Sequence, residues 1–126
     1  MESKIKADLL KFYQEISSRP GCEVLQALHV FLPRLFQERD LTGCTFFTSH
    51  AALCIVRYPT YDERRDKPLL SINCTAKDRL QFEFRITLAS FPVYRALTES
   101  ANCPLDLGLQ EFDRMYAKFL DAHEAG

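Results

Sequence analysis

The length, composition and charge of the chain exclude several broad classes of protein. Its 126 residues are 47% hydrophobic and 26% charged, which is typical of a globular domain and not of a disordered or coiled-coil chain. Sixteen basic and 17 acidic residues give a formal net charge of −1, so no overall field attracts nucleic acid or an anionic membrane. We therefore predict a single domain, residues 1–126, with its own hydrophobic core and no nucleic-acid partner.

The sequence also predicts an intracellular, cytoplasmic protein. No apolar run approaches the roughly 18 residues of a membrane span, and the first residues lead into an amphipathic pattern, not into a signal-peptide core, so we expect no membrane partner. An odd number of widely spaced cysteines without a C-x-x-C pair disfavours disulfides and structural zinc. We expect no metal, no cofactor and five reduced, structurally inert thiols: Cys22, Cys44, Cys54, Cys74 and Cys103.

Two helices are predicted at the start of the chain. Residues 3–17 have apolar side chains at helical spacing, with Ile5, Leu9 and Phe12 on one side, and the Pro-Gly pair that follows ends this helix. A second helical pattern covers residues 24–37 but contains Pro33, which removes a backbone donor and crowds the preceding turn. We expect a kink there, or two short helices.

Four strands are predicted next, and residues 79–88 give the clearest signal. Apolar and polar side chains alternate strictly along this segment, so one face is buried and the other is compatible with solvent. The predicted core face carries Leu80, Phe82, Phe84, Ile86 and Leu88, and the opposite face carries Arg79, Glu83 and Arg85. Residues 69–75 precede it after a short polar link, which indicates an antiparallel hairpin. Residues 44–49 and 51–58 predict a second hairpin that turns near His50.

Helical signals return after the strands. Ser90 is a candidate N-cap for a short helix that continues through Tyr94 and Leu97, and a turn-rich link covers residues 102–108. Residues 109–120 then have apolar side chains at helical spacing, with fraying expected only from position 123. The predicted fold is α+β: a four-stranded antiparallel meander sheet, preceded by two helices, the second kinked, and followed by a short and a long helix.

The chain contains no local signature of a common enzyme class, such as a Gly-rich phosphate loop, H-E-x-x-H or G-x-S-x-G, so we predict no catalytic residue. A charged loop at residues 59–68 separates two strands, and it is either a solvated connector or part of a binding site. Guanidinium and phenol groups combine hydrogen bonding with flat contact area and are frequent in binding sites. The candidate binding residues are Arg57, Tyr58, Tyr61, Arg64 and Arg65.

The leading functional hypothesis is a non-catalytic binding domain that acts on a protein partner or on its own copy. The alternative is a small-molecule-binding protein or an enzyme with a pocket between sheet and helices. Strand 51–58 has apolar residues on both faces, with Leu53 and Ile55 on one face and Cys54 and Val56 on the other. Helices on one face of a sheet cannot cover both. The other face is covered either by the kinked segment around Pro33 and the short helix after Pro92 or by a second subunit, and we favour the second subunit, hence a homodimer.

Overall fold

The computed structural model describes residues 2–58, 67–89 and 95–125, which contain three helices and five strands. The helices are α1 (Glu2–Ile16), α2 (Gln26–Glu38) and α3 (Gly108–Ala125). The strands are β1 (Thr45–Ser49), β2 (Ala52–Val56), β3 (Leu69–Ala76), β4 (Arg79–Ala89) and β5 (Arg95–Pro104). Single 3₁₀ turns at Glu23–Leu25 and Leu105–Leu107 lead into α2 and α3. The predicted α+β class is confirmed.

The sheet is an antiparallel meander with the strand order β1-β2-β3-β4-β5. The alternation predicted for β4 is confirmed, because Phe82 and Phe84 are buried whereas Arg79 and Arg85 are exposed. Glu83 lies on the polar face and is half-buried. This alternation gives the sheet one strongly apolar face for the helices to cover.

The Phe82 ring is at the centre of that face. Its centroid lies 6.0 Å from the ring of Phe31 on α2 and 6.5 Å from the ring of Phe112 on α3. Both helices therefore pack on the apolar face of the sheet, and the three rings occupy the middle of the core.

The hairpin of β1 and β2 turns without glycine. His50 and Ala51 both have positive φ, 51° and 67°, as a two-residue type I′ turn requires. The hydroxyl of Tyr13 on α1 donates a hydrogen bond to the carbonyl oxygen of Ala51 at 2.9 Å. Tyr13 is fully buried, so α1 is fixed to the turn that joins the two strands.

Pro33 lies inside α2, which is one helix from Gln26 to Glu38. The alternative of two short helices is therefore wrong, and the kink itself stays a prediction. Pro33 is exposed, so its ring and the carbonyl that loses a donor lie on the solvent side of the helix, where water can hydrogen bond to that carbonyl.

The predicted short helix is wrong for its described part, because Leu97 lies in a fifth strand, β5. Ser90 and Tyr94 lie outside the described residues. The link predicted at 102–108 is likewise shorter, since β5 continues to Pro104. The physical reason is that β4 has a second edge of N–H and C=O groups, and pairing with β5 along its length satisfies them. The helical signal was local and did not take this pairing into account.

Both faces of β2 are buried within the single chain. Leu53 and Ile55 are fully buried on the helix face, and Cys54 and Val56 are only 5% and 1% exposed on the other. The prediction that both faces are covered is confirmed. The reason given for a second subunit fails, however, because the chain covers β2 by itself.

Candidate functional site

Two regions are candidates for a functional site: the end of β2, where the sequence placed binding residues, and the outer edge of β5, which it did not predict. Arg57 and Tyr58 directly follow β2; Arg57 is exposed and Tyr58 is half-buried. The other three predicted binding residues, Tyr61, Arg64 and Arg65, lie outside the described residues. The structure therefore locates two members of the predicted set, next to each other at one end of the sheet.

Tyr58 packs against the last turns of α3. Its ring centroid lies 5.9 Å from the imidazole centroid of His123, which in turn meets Phe119 edge to face at 4.6 Å. The ammonium group of Lys67 lies over the Tyr58 ring, 5.6 Å from its centroid, which is within the range of a cation–π contact. These contacts join the end of β2, the start of β3 and the C-terminal part of α3.

The surroundings of His123 favour its neutral form. Burial lowers the pKa of the imidazole, and repulsion by the charges of Arg57 and Lys67 lowers it further, whereas hydrogen bonding to the backbone of Pro68 opposes the shift. Its Nε2 atom is buried and has no hydrogen-bond partner among the described residues. The groups that shift this pKa include no carboxylate, so burial and both nearby cations act against the charged form.

Arg57 reaches from the end of β2 over the turn that precedes β1. A Cβ placed on Gly43, which has a φ of +87°, would lie 3.1 Å from a terminal guanidinium nitrogen of Arg57. The Tyr116 hydroxyl on α3 is in contact with Cys44 Sγ at 3.3 Å. Burial raises the pKa of Tyr116, whereas the nearby charge of Arg57 lowers it. Arg57 thus extends over the turn at Gly43, and its charge acts on both Tyr116 and His123 of α3.

Thiol chemistry is not favoured by the surroundings of the cysteines. None of the five forms a disulfide, and Cys44, Cys54 and Cys103 are buried. Burial raises the pKa of the Cys74 thiol to about 11 and also raises the pKa of Cys103. A thiol with a raised pKa is a poor nucleophile near neutral pH, because the thiolate is the reactive form. Burial thus keeps Cys74 and Cys103 in the unreactive thiol form.

The second region is the outer edge of β5, the backbone edge from Ala96 to Pro104 that faces away from β4. β5 is ten residues long and ends the strand order of the sheet, and no strand among the described residues pairs with this edge. The first four residues of β5 are exposed, and Leu97 is 57% exposed, the largest value among the exposed large apolar residues of the described chain. Unpaired strand edges are sites for adding another strand.

The backbone register shows which groups face outward. Arg79 is opposite Pro104, and one step further the N–H of Leu105 donates to the carbonyl oxygen of Asp78 at 2.7 Å. Hydrogen-bonded and non-hydrogen-bonded pairs alternate in an antiparallel ladder. Odd-numbered residues from Leu97 to Cys103 therefore bond to β4, and even-numbered residues from Ala96 to Pro104 direct their backbone groups outward. The N–H that proline lacks falls on the outward side, where no ladder bond is lost.

Glu99 is the one charged side chain within the middle of β5, and it is neutralised by α3. Its carboxylate accepts hydrogen bonds from Lys118 at 2.6 and 2.7 Å and from Arg114 at 3.1 Å. The hydrogen bonds from Lys118 and Arg114 hold the pKa of Glu99 below its usual value. A charged side chain on the helix face can prevent an edge strand from pairing with another strand. The charge of Glu99, however, is already neutralised by Lys118 and Arg114.

Sequence reasoning missed both His123 and β5. His123 continues the spacing of Phe112, Tyr116 and Phe119 along α3, and this spacing was the available signal. For β5 the signal was a polar row at Thr98, Ser100 and Asn102, which Glu99 on the opposite face obscures.

Comparison with protein-family models, with curated proteins and with solved structures finds no match for this chain. Within the described residues, no helix is long and apolar enough to cross a membrane. The same residues contain no group of three or more His, Cys, Asp or Glu side chains placed to hold a metal ion.

Proposed function

We propose that this protein is a non-catalytic binding domain that associates with another polypeptide by strand addition at the outer edge of β5. The observation that supports the proposal is a ten-residue edge strand that pairs with β4 on one side and has no strand partner on its outer edge among the described residues. Its outward N–H and C=O groups can be satisfied by a strand of a partner, and main-chain hydrogen bonds of this kind supply affinity in many peptide-binding domains.

The side chains of β5 support the proposal. Edge strands that remain single usually carry lysine or proline, or are very short. In β5 the charge of Arg95 is at the first residue, Pro104 is at the last, and Glu99 is paired with α3. The remaining residues are small or uncharged, with Leu97 as the one large apolar side chain. A partner strand therefore meets little steric or electrostatic obstruction and gains a contact with Leu97.

The packing of the core favours binding at the surface of the domain rather than in an internal pocket. The alternative function requires a cavity between sheet and helices, and the middle of that space is filled by the contacting rings of Phe31, Phe82 and Phe112. All three side chains are fully buried. A surface mechanism of binding needs no such cavity.

The proposal includes an intracellular, cytoplasmic location. The support is that none of the five cysteines forms a disulfide, since extracellular proteins with several cysteines usually do.

Site-specific photo-crosslinking in the native cells tests the proposal. A benzophenone amino acid is placed at Thr98, which is exposed on β5, and, as the matched control, at Val30, which is 49% exposed on α2. Strand addition predicts one dominant adduct at position 98 and none at position 30. Leu97→Lys in the same protein should reduce that adduct, because a charged side chain on the edge opposes pairing. No adduct at position 98, or equal adducts at both positions, would refute the proposal.

A further inference from the structure

We infer that the partner strand is the β5 of a second copy of this chain, paired antiparallel about a two-fold axis at Ser100. This inference rests on the proposed strand-addition function and names its occupant. A β5 pair would join the two sheets into one continuous antiparallel sheet, with the helices of both copies on the same face.

Symmetry restricts the register of such a pair. Residues opposite each other in a ladder point to the same face, and successive residues point to opposite faces. In a pair of identical antiparallel strands related by an axis perpendicular to the sheet, one residue must therefore lie opposite its own copy. Near the middle of β5 the possible central residues are Thr98, Glu99 and Ser100.

Two of these registers are unfavourable. An axis at Glu99 places two carboxylates directly opposite each other, with Cβ atoms about 4.5–5.5 Å apart, and like charges in that position destabilise a strand pair. An axis at Thr98 places the apolar side chain of Leu97 opposite the partner's Glu99. It also leaves the outward groups of Asn102 without a partner inside β5, because the pair would extend beyond Arg95.

The axis at Ser100 pairs the outward backbone groups along the described strand. Ser100 lies opposite its own copy, Thr98 lies opposite the partner's Asn102, and Ala96 lies opposite the partner's Pro104. These are the residues whose N–H and C=O groups face outward, so each pair forms ladder hydrogen bonds, with one bond missing at each proline. Their side chains are small and polar or apolar, and none carries a charge.

The same register matches the side chains on the helix face. Leu97 lies opposite the partner's Cys103, so the exposed leucine gains an apolar neighbour. Glu99 lies opposite the partner's Ala101, and no like charges meet. Its carboxylate also keeps the contacts with Lys118 and Arg114 of its own α3. The strand is thus self-complementary in backbone and in side chains in this register.

Engineered cysteines test the register. In a ladder pair the Cα atoms are about 5.5 Å apart, which a disulfide can bridge. Ser100→Cys alone should therefore form a cross-linked dimer under mild oxidation. Thr98→Cys alone should not, because its own copy lies four residues along the ladder, about 13 Å away. A mixture of Thr98→Cys and Asn102→Cys should cross-link, and the unmodified chain with its native thiols is the background control.

Self-association supplies an independent measurement. Sedimentation of the unmodified chain from micromolar to near-millimolar concentration should show a monomer–dimer equilibrium. Leu97→Lys should raise the dissociation constant at least about tenfold, since each copy loses a buried leucine contact. The matched control, Val30→Lys on α2, should leave the constant unchanged. Both side chains are about half exposed in the single chain, so thermal melts of the variants should match the parent.

The outcomes separate this inference from the function on which it rests. A monomer at every concentration, or equal cross-linking of Ser100→Cys and Thr98→Cys, overturns the β5 pair. If the photo-crosslinker at Thr98 then yields a selective adduct with a different polypeptide, strand addition stands and the second copy is excluded. If position 98 yields no adduct at all, both proposals fall.

Discussion

β2 and β5 belong to the same sheet and have opposite surroundings. Every residue of β2 from Leu53 to Val56 is buried, on both faces of the sheet, whereas β5 is exposed over its first four residues and buried only at Cys103. An interior strand of this kind contributes to stability through the apolar area that it removes from water. An exposed edge strand contributes less to stability and keeps backbone groups available for a partner.

This difference changes where an interface is expected. The apolar residues on both faces of β2 look like a surface that needs a second subunit, but the chain buries them itself. The described sheet has two edge strands, β1 and β5, and β5 is the longer, with ten residues against five. Unsatisfied backbone groups, and not exposed apolar surface alone, therefore indicate the candidate interface.

The largest expected effect compares a core side chain with an edge side chain. Phe84→Ala should lower the free energy of unfolding by about 3–5 kcal/mol, the usual loss for a buried phenylalanine, since Phe84 is only 6% exposed. Leu97→Ala should change it by less than about 0.5 kcal/mol, as for other exposed positions. Glu83→Ala on the polar face should cost under about 1 kcal/mol. Urea unfolding at low micromolar concentration measures all three, and equal losses would contradict the division between core and edge.

The next largest effect on stability is expected at Gly108, the first residue of α3, which follows β5 after a single 3₁₀ turn. Gly108 begins α3 with helical dihedral angles, φ −60° and ψ −45°, and alanine is normally the better helix former by about 1 kcal/mol. A Cβ at this position would however lie 2.6 Å from Phe31 Cε1 and 2.9 Å from Leu80 Cδ1. Gly108→Ala should therefore lower the free energy of unfolding by about 1–3 kcal/mol, the usual cost of overpacking.

Gln110→Ala is the control for this prediction, because Gln110 is exposed in the same first turn. It should stay within about 0.5 kcal/mol of the parent. A Gly108→Ala protein that is more stable than the parent would show that Phe31 and Leu80 are packed loosely enough around Gly108 to accept a methyl group.

The sequence predicted an element correctly where its signal lies within one stretch of chain. β3 and β4 were predicted because strict alternation and a short link define a hairpin within one stretch of chain. β5 was not, because Glu99 interrupts the apolar row and the charges that compensate it, Lys118 and Arg114, come from α3. A tertiary contact decided this element, and a local N-cap signal indicated a helix instead.

The candidate sites show the same limit. Arg57 and Tyr58 were proposed from residue type, and the structure places them together at the end of β2. Their main neighbour, His123, was expected to fray at the end of the chain, but α3 continues to Ala125 and the imidazole packs on Tyr58. This contact joins two distant parts of the sequence, so neither part alone predicts it.

The smallest expected effect is the pH dependence at the buried end of β2, where His123 packs against Tyr58. The pKa of His123 is lowered in the folded protein, first by burial and then by Arg57 and Lys67, whereas an unfolded histidine has a pKa of about 6.5. Below that value the unfolded chain binds the proton more readily than the folded protein does. The contribution of the neutral imidazole to stability is therefore complete above about pH 6.5 and is lost as the pH falls toward the folded pKa.

Two variants test this sign. His123→Gln should remove the part of the stability loss between about pH 6.5 and 5 that belongs to the imidazole, as measured by urea unfolding along a pH series. Arg57→Gln should move the NMR titration midpoint of His123 upward, because one repelling charge is gone. Arg34→Gln is the control, since Arg34 pairs with Glu38 on α2 and is not among the causes of the His123 shift. An unchanged midpoint in Arg57→Gln would show that the charge of Arg57 does not act on His123 and that burial and Lys67 account for the lowered pKa.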